Sequence, residues 1–219
     1  MTEMRVRATF MDELLGTAPN NKDIYTDYIA SKAPDATNLE DEVAAVGTEA
    51  VAEKGMTVFP RTKDGNPFLY DYQWKGYFKE TCSFLRKVKG TASEKIKAFK
   101  KQIDGLIFIE ERETILDTHG NELGVCQRPL RAATPQGERV SISCSETAPE
   151  GTTCEFTVIC MVDSDTDLVR EWLDYGKLHG TGQWRNSGKG RFVWDELDED
   201  GNIIGGNNEF KKNAKKKSA

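Results

Sequence analysis

The stretch DSDTDLVREWLDYGKLHGTGQWRNSGKGRFVWDEL, Asp163 to Leu197, passes through three kinds of local pattern in one run. Leu168, Trp172, Leu173 and Tyr175 recur at helical spacing, and the acids ahead of them suit the positive end of a helix dipole. RFVWDEL, at the other end, is apolar and strand-like. Between them lies HGTGQWRNSGKG, with glycines at 180, 182, 188 and 190. A helix, a glycine-rich loop and a strand in succession predict the last unit of an α+β fold.

The preceding chain supplies the other units. RVRATF (Arg5 to Phe10) alternates as a strand. Two short amphipathic helices are expected in the next segment, about residues 20–55, as an insertion and not as scaffold. MTVFP is a short strand, and DGN before Pro67 is a turn signal. Tyr72, Trp74, Tyr77, Phe78, Cys82, Leu85 and Val88 mark a long helix. SEKIKAFKKQI reads as another, with Ser93 as its candidate N-cap. GLIFIEE, RETILD, GVCQRPLRAA, RVSISCSE and TCEFTVICMV then read as strands, several of them divided by the turns HGN, TPQG and APEG. The fold class predicted is α+β: a ferredoxin-like or RRM-like core (βαββαβ), with an antiparallel sheet, a β-hairpin elaboration and the inserted acidic helical segment. One domain is expected over residues 1–205, and a lysine-rich, disordered tail over 206–219.

Bulk composition narrows the function. The chain has 219 residues and a net charge of −6. Its apolar runs are far shorter than a membrane helix needs, and MTEMRVRATF lacks the apolar core of a signal peptide. A soluble, cytoplasmic protein without membrane contact is expected. Cys82, Cys126, Cys144, Cys154 and Cys160 are odd in number and contain no CxxC, so they predict buried free thiols. Charge is unevenly spread. Asp12 to Lys54 has ten acids against three lysines, net −7; Arg61 to Gln102 has eleven bases against four acids, net +7. Either the basic segment is a solvated helix face or it meets an anionic partner.

Familiar chemical motifs fail here. A phosphate-binding P-loop needs four residues between Gly and GK[ST]; Gly182 and Gly188 have five between them, and Gly190 follows Lys189. DSDTD begins like a calcium loop, but Leu168 stands where that loop needs glycine. His119 and His179 are the only histidines and make no zinc spacing with the cysteines. Glu110 and Glu111, adjacent on a strand, point to opposite faces. No catalytic residue, cofactor or metal site is predicted. What remains in the glycine-rich loop is physical: glycines that let backbone N–H groups approach an anion, the cations Arg185, Lys189 and Arg191, and the stacking face of Trp184. The alternative is a long helix-to-strand turn whose glycines supply positive φ.

Two segments together resemble one family. DGNPFLYDYQWKGYFKE (Asp64 to Glu80) is similar to the DGxPyIPGSSLKGalR segment of the RAMP superfamily, the RRM-like proteins of CRISPR effector complexes. LHGTGQWRNSGKGRFVW resembles that superfamily's C-terminal glycine-rich signature, and ELLGT resembles the end of its first strand. Tyr70, Asp71, Tyr72 and Gln73 replace the PGSS part, while Lys75–Gly76 is retained. The N-terminal histidine of the endonuclease branch has no counterpart. The chain also resembles uncharacterised prophage proteins, which implies a phage-encoded relative.

The resemblance implies a noncatalytic protein that binds single-stranded, guide-type RNA and assembles with copies of itself along it. The implied groove joins Trp74, Lys75, Gly76 and Lys79 to Gly180, Gly182, Trp184, Arg185, Gly188, Lys189, Gly190 and Arg191. Two other classes remain open. One is a decoy that occupies CRISPR effector subunits, with the acidic segment as its binding surface. The other is an RNA endonuclease using lysines or acids such as Asp23 or Asp27.

Overall fold

The computed structural model describes residues 1–20, 56–134 and 137–208, with backbone alone over 130–134 and 137–141. The expected acidic helices, Asp23, Asp27 and nearly all of the expected tail lie outside these residues.

Strand β1 (Thr2–Phe10) alternates Met4, Val6, Ala8 and Phe10 inward with polar residues outward, the period-two pattern of a strand covered on one face. Short strands follow: β2 (Leu14–Leu15), β3 (Ala18–Pro19), β4 (Thr57–Val58) and β5 (Phe68–Tyr70). Helix α1 (Asp71–Leu85) comes next, then a 3₁₀ turn (Ala92–Lys95) and α2 (Phe99–Leu106). Strands β6 (Ile107–Ile109), β7 (Glu113–Asp117), β8 (Gly124–Thr134), β9 (Gly137–Ala148) and β10 (Thr153–Cys160) lead to α3 (Asp165–Asp174). The chain closes with β11 (Phe192–Leu197) and β12 (Ile203–Gly206).

The main sheet runs β12–β11–β1–β10–β7–β5, with β6 also paired to β10, and every pairing is antiparallel. Taking β6 and β7 as one interrupted strand, the central order β11–β1–β10–β6/β7 is that of a ferredoxin-like core, with α1 and α3 as its two helices. The interruption has a visible cause. Glu111 folds back to accept from the Thr157 N–H (2.6 Å) and hydroxyl (2.9 Å), so a side chain takes the place of the ladder. The β8–β9 hairpin is the expected elaboration. It forms a second sheet, β2–β9–β4–β3, with β8 on the outer side of β9.

Helices and sheet meet in an aromatic core. Trp74 stacks on Phe156 at 4.2 Å, and Phe192 meets both Trp74 and Tyr77 edge-on. Ser93 is not an N-cap. It is fully buried, takes the Trp172 indole N–H at 2.9 Å, and lies against Glu171, whose carboxylate also accepts the Ala92 and Ser93 N–H groups. A helix reading of SEKIKAFKKQI is thus split in two, because Glu171 from α3 caps a separate 3₁₀ turn. Strand β12 was unanticipated; IIGG lacks alternation and pairs only along the β11 edge. All five cysteines are free thiols, Cys126 only partly buried, and burial pushes the Cys160 thiol up to about 11. Among the described residues, no helix is long and apolar enough to cross a membrane.

Candidate nucleic-acid interface

The glycine-rich loop joins α3 to β11 and rests on the chain that leaves β1. The Gly190 N–H donates to Glu13 O (2.9 Å) and Met11 N–H to Arg191 O (2.7 Å). Its neck closes backbone on backbone: Thr181 N–H donates to Gly190 O at 3.0 Å. A Cβ on Gly180 would come within 2.3 Å of the Gly190 carbonyl carbon, and one on Gly190 within 2.0 Å of Thr181 O. These two glycines therefore exist to let the loop's own strands touch. That corrects the expectation that they open the backbone to an anion, since the Gly190 N–H is already spent. Gly182 and Gly188 have positive φ, and Gly188 N–H bonds to Arg185 O.

The loop's cations are compensated. Arg185 pairs with Glu80 of α1, Lys189 with Glu13 at 2.6 Å, and Arg191 with Asp12 at 2.6 Å. His179 sits 3.5 Å from the same Glu80 carboxylate.

The first predicted motif does not join this loop in one groove. Trp74 is 0% exposed and belongs to the core, so it offers no surface for a base. Lys75 and Lys79, four residues apart on α1, share the flank facing α2: Lys75 donates to Asp104 O (3.1 Å) and covers the Phe108 ring, while Lys79 pairs with Asp104 at 2.5 Å. The flank facing the loop carries Glu80 instead, with Gln73 turned to Thr17. Gly76 lies on the exposed side of α1, with open space around it. The helical period separates what the motif places side by side.

At the loop tip the arrangement differs. Trp184 adopts a left-handed backbone (φ 54°) at the start of a 3₁₀ turn, Arg185–Ser187, and its indole stays 42% exposed. Arg128 of β8 reaches over that ring, 5.1 Å from its centre. With Gln183, Arg185 and Asn186 they line a depression of about 400 Å³. Arg128, Gln183 and Asn186 were missed in the sequence. Arg128 sits in a strand pattern far from the loop, and only the hairpin's fold brings it over Trp184.

A second cluster occupies the open face of the main sheet. Glu155 holds Arg5 (2.9 Å) and Arg7 (2.8 Å). The His119 ring lies between Asp117 (3.2 Å) and the Thr153 hydroxyl (3.3 Å). Glu111 and Glu113 stand beside them. This surface is acidic, with its arginines matched. Among the described residues, no group of three or more His, Cys, Asp and Glu is placed to hold a metal ion.

No protein-family model and no curated protein matches the sequence. Among solved structures, the chain is similar to one from the cryo-EM structure of the Type III-B Cmr-beta bound to cognate target RNA. Identity is 11% and the TM-score 0.48, over 87% of this chain and 58% of that one, so this chain spans little more than half of its length.

Proposed function

We propose that the chain is a noncatalytic, RAMP-like protein that holds single-stranded RNA at the end of the fold where the glycine-rich loop meets the β8–β9 hairpin. The observation that carries this is Trp184: a large ring, held out of the core by a left-handed backbone, with the Arg128 guanidinium over one face and Arg185 lining the same depression. Aromatic faces of this kind stack on bases without regard to sequence, and neighbouring cations meet the phosphates. The sequence resemblance to the RAMP superfamily supports the same partner, alongside further copies of the chain or CRISPR effector subunits. The interface proposed is narrower than the groove expected from sequence, since Lys75 and Lys79 face elsewhere and Trp74 is buried.

The test is purification at low salt followed by nuclease digestion of whatever co-purifies, with direct titration of single-stranded RNA. RNase-sensitive material that high salt removes is expected. Trp184→Leu should weaken binding by about 1–3 kcal/mol, the worth of one base stack. A clean protein that binds no RNA at low salt would overturn the reading and turn attention to a protein partner.

A further inference from the structure

Arg128 is held in a position that the protein alone leaves incomplete. It is only 9% exposed. Its Nη2 donates to the Gln183 side-chain oxygen at 2.8 Å. Gln183 in turn leans on Thr57, which donates to Ser145 (2.8 Å), so β4 and β9 fix the orientation of the guanidinium. Nη1 has no hydrogen-bond partner and no solvent. Among the described residues no carboxylate pairs with Arg128, in contrast to Arg185, Lys189 and Arg191 on the adjoining loop. A buried cationic N–H without an acceptor is costly, and such groups persist where something outside the protein completes them.

We infer that Arg128 is a phosphate anchor, and that the hairpin and the loop together take a single nucleotide, its phosphate on Nη1 and its base on the open face of Trp184. The inference rests on the RNA-binding reading and names the substrate unit of that site. The indole now covers the guanidinium from one side, so a modest shift of Trp184 exposes Nη1 as the base stacks. The depression of about 400 Å³ lies in the range that holds a small ligand. An arginine presents its donors to phosphate oxygens in a fixed fork, which suits this end of the nucleotide better than the ribose or the base.

Fluorescence reads the site selectively, because Trp74, Trp172 and Trp194 are buried and Trp184 alone of the four tryptophans is exposed. The probes are AMP, adenosine and a single-stranded RNA of about 12 nucleotides, within the span one small module covers. Wild type should bind AMP about tenfold more tightly than adenosine, the usual worth of a charge-assisted hydrogen bond. Arg128→Gln should erase that difference, and Arg128→Lys should restore part of it, which separates lost charge from a disturbed hairpin. On the longer RNA, Arg128→Gln should flatten the slope of log affinity against log salt by about 0.7, the value of one phosphate contact on a single strand. If wild type binds the RNA but Arg128→Gln leaves both the slope and the AMP preference intact, the anchor is wrong and the RNA reading stands. If wild type binds none of the three probes, both fall.

Discussion

The open face of the main sheet and the hairpin–loop end both carry arginines, yet they offer a ligand different things. On the open face Arg5 and Arg7 converge on Glu155, with Asp117, Glu111 and Glu113 nearby. At the hairpin–loop end three cations are matched in the same way, but Arg128 is not, and it stands against an exposed ring. Charge counted along the chain therefore says little about charge on offer. The +7 segment illustrates this, because its lysines at 75 and 79 are turned to Asp104 and its Arg61 to Glu146. A sheet face that serves many RRM-like proteins as the RNA platform is here unsuited to a polyanion.

The largest effect expected separates two tryptophans that the sequence presents as equals. Trp74→Ala should destabilise the protein by about 3–5 kcal/mol in denaturant unfolding, because it empties the stack on Phe156 at the junction of α1 and the sheet. Trp184→Leu should cost about 1 kcal/mol or less, since Trp184 lies outside the core cluster and what is lost is its contact with the Arg128 guanidinium. Equal costs for the two would mean that the loop tip is part of the core and not a binding surface.

An intermediate effect concerns the compensated cations. Glu80 holds Arg185 with its carboxylate. Glu80→Gln keeps the shape and releases the guanidinium, so RNA affinity at low salt should rise a few-fold and the salt slope steepen by about 0.7. A fall in affinity would show that Glu80 matters by placing Arg185, and that the pair works as a unit.

Much of the fold was legible because its period was. β1, α1, β10 and α3 each carry an uninterrupted alternating or helical pattern, β11 opens on the apolar run Phe192–Trp194, and each lies close to where that signal puts it. The errors fall where a distant side chain decides a local outcome: Glu171 capping the 3₁₀ turn at Ser93, and Glu111 breaking the strand before β7. Of the candidate site, the loop was legible and the groove was not. A motif such as Trp74–Lys75–Gly76 places three residues side by side in the chain, whereas a helix turns each about 100° from the last, into core, flank and solvent. Arg128 had no local signal, since one arginine in a strand looks like any solvated residue until the register Gln127–Cys144 and Arg128–Ser143 fixes where the hairpin lies.

The smallest effect tests the open face directly. Burial works against the charged form of Glu155, but the hydrogen bonds and charge of Arg7 and Arg5 outweigh it and hold its carboxyl below the usual range. A carboxyl depressed in the folded state adds stability above its unfolded value, near 4.3, and loses it as the pH falls through the folded one. Wild type should therefore exceed Glu155→Gln by under about 1 kcal/mol near neutral pH, as a partly exposed ion pair does, and the two should converge in acid. RNA affinity should not change. The substitution also frees Arg5 and Arg7 from their shared partner, leaving two cations on a face that still carries Asp117, Glu111 and Glu113. Should RNA then bind more tightly, the sheet face belongs to the interface after all, and the acid at 155 is what keeps it closed.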